Sequence, residues 1–270
     1  MAILAIQAIR KMRGGSQSQL MLGDDGNLWV VKFQNNPQHI RVLANELIAT
    51  RLAAAIGLTV PTTDVIEVTP RLVEHTTDME YELGQGRRER YASGLHFGSR
   101  FIGGLMPGQL VDYLPQQQLE EVRNLEEFVG VLCLDKWTGN CDGRQAVFSR
   151  KAGTRKYNAT FIDQGFCFNA GEWTFPDSPL RGIYARSLVY SHVTGWKNFE
   201  PWLPRIESIS PETLGEIAEA VPPDWYGGDT FVIEHLMEQL LKRRSFVRDL
   251  ILSFRNSDRA PFPLWRSSAN

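Results

Sequence analysis

The hydrophobic period of this chain changes near residue 104, and that change restricts the fold more than any single motif does. Ahead of it, short apolar runs are punctuated by Gly, Asn, Asp and Pro, the pattern of strands joined by turns. Ile3–Ile9 reads as a strand, and Arg13-Gly14-Gly15-Ser16-Gln17-Ser18 as a turn. Gln19–Leu22 and Leu28–Phe33 bracket Gly-Asp-Asp-Gly-Asn, a hairpin connection. One helix interrupts the strands: residues 40–56 carry a continuous apolar pattern that Gly57 stops. Leu58–Val68 reads as extended with a break at Pro61, and the polar residues 74–92 as a hairpin or flexible insert. Gly94–Gly104 returns to strand character and ends in a glycine pair suited to a hinge.

Beyond that pair the pattern becomes helical. Asn124 and Glu127 have the spacing of an N-cap and its N3 partner ahead of Phe128, Val129, Val131, Leu132 and Leu134. Ser210-Pro211-Glu212 opens another helix, with serine as cap and proline at the first helical position. The apolar spacing predicts a single helix over Thr230–Phe254. A β-rich part followed by a helical part implies an α+β protein of two lobes, 1–103 and 104–270.

Composition narrows the function classes. In 270 residues, 43% are hydrophobic, enough for a sizeable core, and the net charge of −2 leaves no electrostatic footprint for nucleic acid. The basic runs Arg87–Arg90 and Lys242–Arg248 contain or border acids and read as solvated faces. Cys133, Cys141 and Cys167 have no metal-ligand spacing, and their odd number fits a reducing compartment. The N-terminal run lacks a basic n-region and no stretch approaches a membrane span, so a cytoplasmic protein with no membrane partner is expected.

Four charged residues fall, in order, where phosphoryl transfer would need them. That chemistry requires cations and backbone amides on phosphates, carboxylates for Mg²⁺, and a group that orients the attacking hydroxyl. Lys32 ends the apolar run Trp29-Val30-Val31, and Glu46 shares a largely apolar helix face with Val42, Ala49 and Ala53, where a buried acid needs a partner. Asp142 lies in Asn140-Cys141-Asp142-Gly143-Arg144, directly after a helix pattern, with Arg144 available to neutralise phosphate or to position the aspartate. Asp163-Gln164-Gly165 follows a strand pattern, as a Mg²⁺-holding turn would. Gly14, Gly15, Ser16, Gln17 and Ser18 offer backbone and hydroxyl donors to phosphate, although the loop is neither GxGxxG nor a Walker A sequence.

These segments resemble the HipA-like kinases, a bacterial branch of the protein-kinase-like fold related to the phosphatidylinositol kinases. The likeness runs through VVKF-NN-P, R-LANELIATRLAAAIGL-VP, D-WTGN-DGRQAVF and FIDQGFCFN, most of the first ~170 residues. It implies a bilobal kinase with ATP and Mg²⁺ as cofactors. Lys32 would bind ATP phosphates, supported by Glu46, while Asp142 would be catalytic and Asp163 metal-binding. Phe101 and Ile102, in the hinge, would receive adenine. HipA-like toxins phosphorylate proteins on serine and can autophosphorylate the Gly/Ser loop, which makes Ser16 and Ser18 the corresponding candidates.

Two departures stand out. Kinases of this fold place a second metal-binding asparagine at the fifth residue after the catalytic aspartate; here that residue is Val147, leaving Gln145 or Asn140 as substitutes. The chain is also shorter than the full toxins, so an antitoxin partner is not carried over. A serine/threonine protein kinase is the leading expectation. The alternatives are a small-molecule phosphotransferase and a catalytically weak nucleotide-binding regulator.

Overall fold

The computed structural model describes residues 2–103 and 108–266; Gly104, second glycine of the expected hinge pair, lies outside them. In chain order the elements of the first part are β1 (Ile3–Lys11), β2 (Gln19–Gly23), β3 (Leu28–Lys32), α1 (Val42–Ala55), β4 (Thr63–Val68), α2 (Pro70–His75), β5 (Glu80–Gly84), β6 (Arg87–Arg90) and β7 (Gly94–Arg100). Five strands close into a barrel in the order β1-β2-β3-β7-β4, with only the β1–β4 pair parallel. Closure removes the unpaired edges that a five-stranded sheet would expose. Ala5, Met21, Trp29, Val31, Phe33, Ile66 and Val68 fill its interior. The polar stretch expected as a hairpin or insert begins at the end of α2 and forms the antiparallel β5–β6 hairpin.

Helix α1 is apolar on nearly all sides and is buried on nearly all sides. It ends as its sequence predicts. Gly57 adopts φ +82, its N–H bonds to Ala54 O and that of Leu58 to Ala53 O, the paired bonds of a Schellman terminus. Its apolar residues join the large helical core rather than the barrel interior, so α1 is the packing link between the two halves.

The second part comprises β8 (Leu110–Val111), α3 (Gln116–Glu120), α4 (Glu127–Thr138), β9 (Gln145–Ser149), β10 (Asn158–Ile162), α5 (Leu203–Glu207), α6 (Pro211–Glu219), α7 (Thr230–Arg243) and α8 (Val247–Arg255). β10, β9 and β8 form a small antiparallel sheet beside α4. Trp137 on α4 is fully enclosed and its indole N–H donates to Leu240 O at 2.8 Å. Trp173, Trp202 and Trp225 are packing residues, with Trp225 donating to Leu95 O across the two parts. No helix among the described residues is long and apolar enough to cross a membrane.

Two local expectations need correction. Asn124 and Glu127 do not cap α4: Asn124 exchanges two hydrogen bonds with the Ala159 backbone, and Glu127 accepts from Thr59 N–H and Oγ1. Tertiary partners outcompete the local box. The helix predicted over Thr230–Phe254 is two, α7 and α8, with a tightened turn between them. Phe246 N–H bonds back to Arg243 O, and the Ser245 hydroxyl donates to Lys242 O, competing with helical pairing. Ser210 does cap α6, accepting from Thr213 N–H.

Within the barrel, His96 is fully enclosed on β7. Its Nδ1 accepts Gln34 N–H at 3.1 Å and its Nε2 donates to Ala92 O at 2.9 Å, a pairing that requires the neutral ring. Burial pushes its pKa down to about 4. Between that value and an unfolded value near 6.5 the unfolded chain binds the extra proton, so stability falls with acidity through this window, by up to about 3 kcal/mol. Urea unfolding from pH 7 to pH 4 is expected to lose that much more stability in wild type than in His96→Gln.

Candidate active site

Strand alternation aims Lys32. Trp29, Val31 and Phe33 turn into the barrel, so Val30 and Lys32 face a cavity of about 280 Å³ on its outside. The ammonium donates to Glu46 Oε1 and, at 2.8 Å, to Asp163 Oδ1. Burial alone would lower the Lys32 pKa, but the two carboxylates outweigh it and hold the ammonium above its ordinary range. Asp163 is held below the usual carboxylate range, because Lys32 outweighs the opposing effect of burial. Burial pushes Glu46 upward, while three donors converge on it: Lys32 and the N–H groups of Gln164 and Gly165, both at 3.0 Å.

Glu46 therefore joins α1 to the turn that carries Asp163. That turn is sharp, with Asp163 at φ +62, a conformation in which Asp is enriched among non-glycine residues. A Cβ on Gly165 would come within 2.7 Å of the Val42 side chain, so only glycine permits this approach to α1. Asn45 holds the same segment, donating to the carbonyls of Gly165, Cys167 and Ala170. Its signal in the sequence was a second polar residue inside an apolar helix. Gln164 is enclosed, and its amide has no hydrogen-bond partner among the described residues.

Asp142 lies at the surface in the loop after α4, its Oδ1 accepting Gly143 N–H at 2.7 Å. Its own N–H is held by Asn140 Oδ1 at 3.1 Å. Asn140 is buried and its amide also donates to Asp135 Oδ1, so both ends of the side chain are engaged away from the cavity. Arg144 is likewise off the cavity. Its side chain is fully enclosed, forked onto Asp135, and donates to Ile162 O at 3.0 Å. Arg144 thus does not line the cavity and holds the backbone just ahead of Asp163. Along β9, Gln145 and Val147 share the face turned to the cavity while Ala146 and Phe148 enter the core. Gln145 Nε2 donates to Asp163 Oδ2 at 2.7 Å, and Val147 adds an apolar surface beside it.

The Gly/Ser loop joins β1 to β2 over this cavity, and Arg13, Gly14, Gly15, Ser16 and Ser18 line it. Gln17 does not. Its amide is clamped to both backbone groups of Glu82, and its carbonyl accepts the Tyr91 hydroxyl, so it anchors the loop to the β5–β6 hairpin. The Oγ atoms of Ser16 and Ser18 lie 2.9 Å apart. Phe101 and Ile102 also line the cavity, with Phe97, Ser99 and Pro61. Thr50, one turn beyond Glu46 on α1, and Arg13 also line the cavity and were not singled out from sequence.

Chemically, the cavity is lined by the cations Arg13, Lys32 and Arg100, the carboxylates Glu46 and Asp163, the Gln145 amide and a glycine-rich backbone, together with apolar side chains. Asp163 and Gln145 offer the hard oxygen donors that suit Mg²⁺. Among the described residues no three His, Cys, Asp or Glu side chains cluster as a metal cage. Cys133 and Cys167 are buried, with burial pushing the Cys167 thiol up to about 12, so neither is poised for chemistry.

Comparison with known proteins agrees with this geometry. No curated protein matches the chain in sequence. Among solved structures, the Helicobacter pylori proinflammatory kinase CtkA superposes with a TM-score of 0.57 at 13% identity, covering 95% of this chain and 99% of its own. The Golgi casein kinase with Mn/ADP bound gives 0.53 at 12% identity, over 95% of this chain and 73% of that one. HipA of Shewanella oneidensis MR-1, from a complex with HipB and operator DNA, gives 0.51 at 14% identity, over 93% and 68%. The fold is protein-kinase-like. A sequence profile described as HipA-like kinase matches residues 5–153, more than half of the chain, including the Gly/Ser loop, Lys32, Glu46 and Asp142. This chain belongs to the HipA-like kinase family.

Proposed function

We propose that this kinase uses ATP and Mg²⁺ to phosphorylate a serine or threonine hydroxyl on a protein in the cytoplasm. Residues 1–103 serve as the nucleotide lobe and 104–270 as the catalytic and acceptor lobe. The observation that carries this reading is the double pairing of Lys32 with Glu46 and Asp163 at the wall of a cavity under the Gly/Ser loop. In this reading Lys32 and the backbone N–H groups of Gly14 and Gly15, with Ser16 and Ser18, bind the phosphates. Phe101 and Ile102 receive the adenine, and Asp142 orients the acceptor hydroxyl. Mg²⁺, when bound, neutralises charge that develops on the phosphates. Asp163 and Gln145 hold it, and Gln145 takes over from the residue that Val147 replaces. Gln17, Asn140 and Arg144 act by fixing the loops. The bound Mn/ADP of the Golgi casein kinase supports a metal–nucleotide ligand here. Ser16, half-buried, is the candidate for autophosphorylation, since Ser18 is enclosed.

One observation favours a second reading, a weakly catalytic nucleotide-binding regulator: an apolar Val147 stands in the cavity where a metal-binding amide is expected. Incubation with γ-labelled ATP and Mg²⁺ separates the two. The kinase reading expects label transfer by wild type and a loss of about 100-fold or more in Asp142→Ala and Asp163→Ala, each removing a transition-state contact. Nucleotide binding without any transfer by wild type would support the regulator instead. Gln145→Ala is expected to weaken Mn²⁺ binding to the ADP complex about 10-fold, read by electron paramagnetic resonance, with Val147→Asn in the same background restoring it.

A further inference from the structure

An aspartate in the apolar helix α4 has no contact with the cavity, yet it is tied to both candidate aspartates. Asp135 is enclosed, at 1% exposure, near the end of α4. Burying a carboxylate there is costly, and an ion pair with Arg144 is on average no more stabilising than apolar packing of the same volume. Its geometry suggests what the cost sustains. One branch runs to the catalytic loop: Asp135 Oδ1 accepts Asn140 Nδ2 at 2.9 Å, and Asn140 Oδ1 accepts Asp142 N–H at 3.1 Å. The Asn140 N–H also bonds to Asp135 O at 3.0 Å, where Gly139 turns the chain out of the helix. The other branch runs to the metal-site turn: Asp135 binds the Arg144 fork, and Arg144 NH1 donates to Ile162 O at 3.0 Å, with a longer 3.5 Å contact to Asp163 O. The Asp163 backbone, held at positive φ, thus rests on the same carboxylate that fixes the loop of Asp142.

We propose that Asp135 is a positioning residue that fixes Asp142 and Asp163 relative to one another, the first through Asn140 and the second through Arg144. The proposal rests on the kinase reading for its catalytic consequence but not for its geometry.

Each branch has its own signature. Asn140→Ala frees only the Asp142 loop and is expected to lower kcat about 100-fold, the scale of a small misplacement of a reacting group, with Mn²⁺·ADP affinity unchanged. Arg144→Lys keeps the charge but loses the fork, and is expected to weaken Mn²⁺·ADP binding about 10-fold. Asp135→Asn should do both. Trp137→Phe, on the same helix and equally enclosed, loses its bond to Leu240 O and lowers thermal stability with neither effect. A folded Asp135→Asn with kcat and Mn²⁺·ADP affinity within about threefold of wild type overturns the proposal. Should Asp135→Asn not fold, the split between Asn140→Ala and Arg144→Lys decides in its place, and its absence overturns the proposal. If wild type neither binds nucleotide nor transfers phosphate, the kinase reading fails separately. Hydrogen exchange of the Asp142 amide then tests the geometry: its protection is expected to fall about 10-fold in Asn140→Ala and in Asp135→Asn, and unchanged protection overturns the link.

Discussion

The buried ammonium of Lys32 is the interaction on which the rest of the site depends. It ends a barrel strand, yet its partners come from elsewhere: Glu46 from α1 and Asp163 from the turn after β10. One cation therefore ties together three parts of the chain that are far apart in sequence. Removing a partner from such a cluster leaves an uncompensated buried charge, a penalty of about 3–5 kcal/mol. The same ammonium lines the cavity. In the proposed nucleotide site stability and ligand binding would be coupled through this one group, because a phosphate arriving at Lys32 would supply the negative charge that Asp163 supplies in the free protein.

Around that cation the fold reads as a set of supports. Glu46 holds the N–H groups of the Asp163 turn, Asn45 holds the carbonyls that follow, and Arg144 holds the carbonyl side from beneath. The segment beyond is pinned by Lys136 to Pro179 O and Arg181 O, and by the ion pair of Arg243 with Asp177. Neighbouring charges favour the Lys136 ammonium, but burial outweighs them and pushes its pKa down to about 8. Apart from Arg144, which immediately precedes β9, these clamps are polar side chains rooted in α1, α4 and α7, elements whose other residues make the core.

Much of this was legible in the sequence where local rules coincide with tertiary needs. Gly57 stops α1 and Ser210 starts α6 through hydrogen bonds to residues within a turn of them. Periodicity put Glu46 on a largely apolar helix face, where an acid needs a partner if buried, and the structure supplies Lys32 as that partner. Failures came where a distant partner changed the outcome. Asn124 and Glu127 look like a capping pair but bond to Ala159 and Thr59 instead. Arg144 beside Asp142 could have neutralised phosphate or positioned the aspartate, and only the structure brings Asp135 to its guanidinium. Choosing between Gln145 and Asn140 likewise required three dimensions: the two flank Asp142 in sequence, but only Gln145 reaches the cavity and touches Asp163.

The central claim is that Lys32 joins a nucleotide site already assembled in the free protein. Calorimetric titration of Mn²⁺·ADP into wild type and Lys32→Met, with circular dichroism to verify folding, tests it most directly. Saturable binding by wild type and a loss of at least about tenfold, or 1.4 kcal/mol, in the folded variant is the predicted result. Equal affinity in the two proteins, or no binding by wild type, would contradict it.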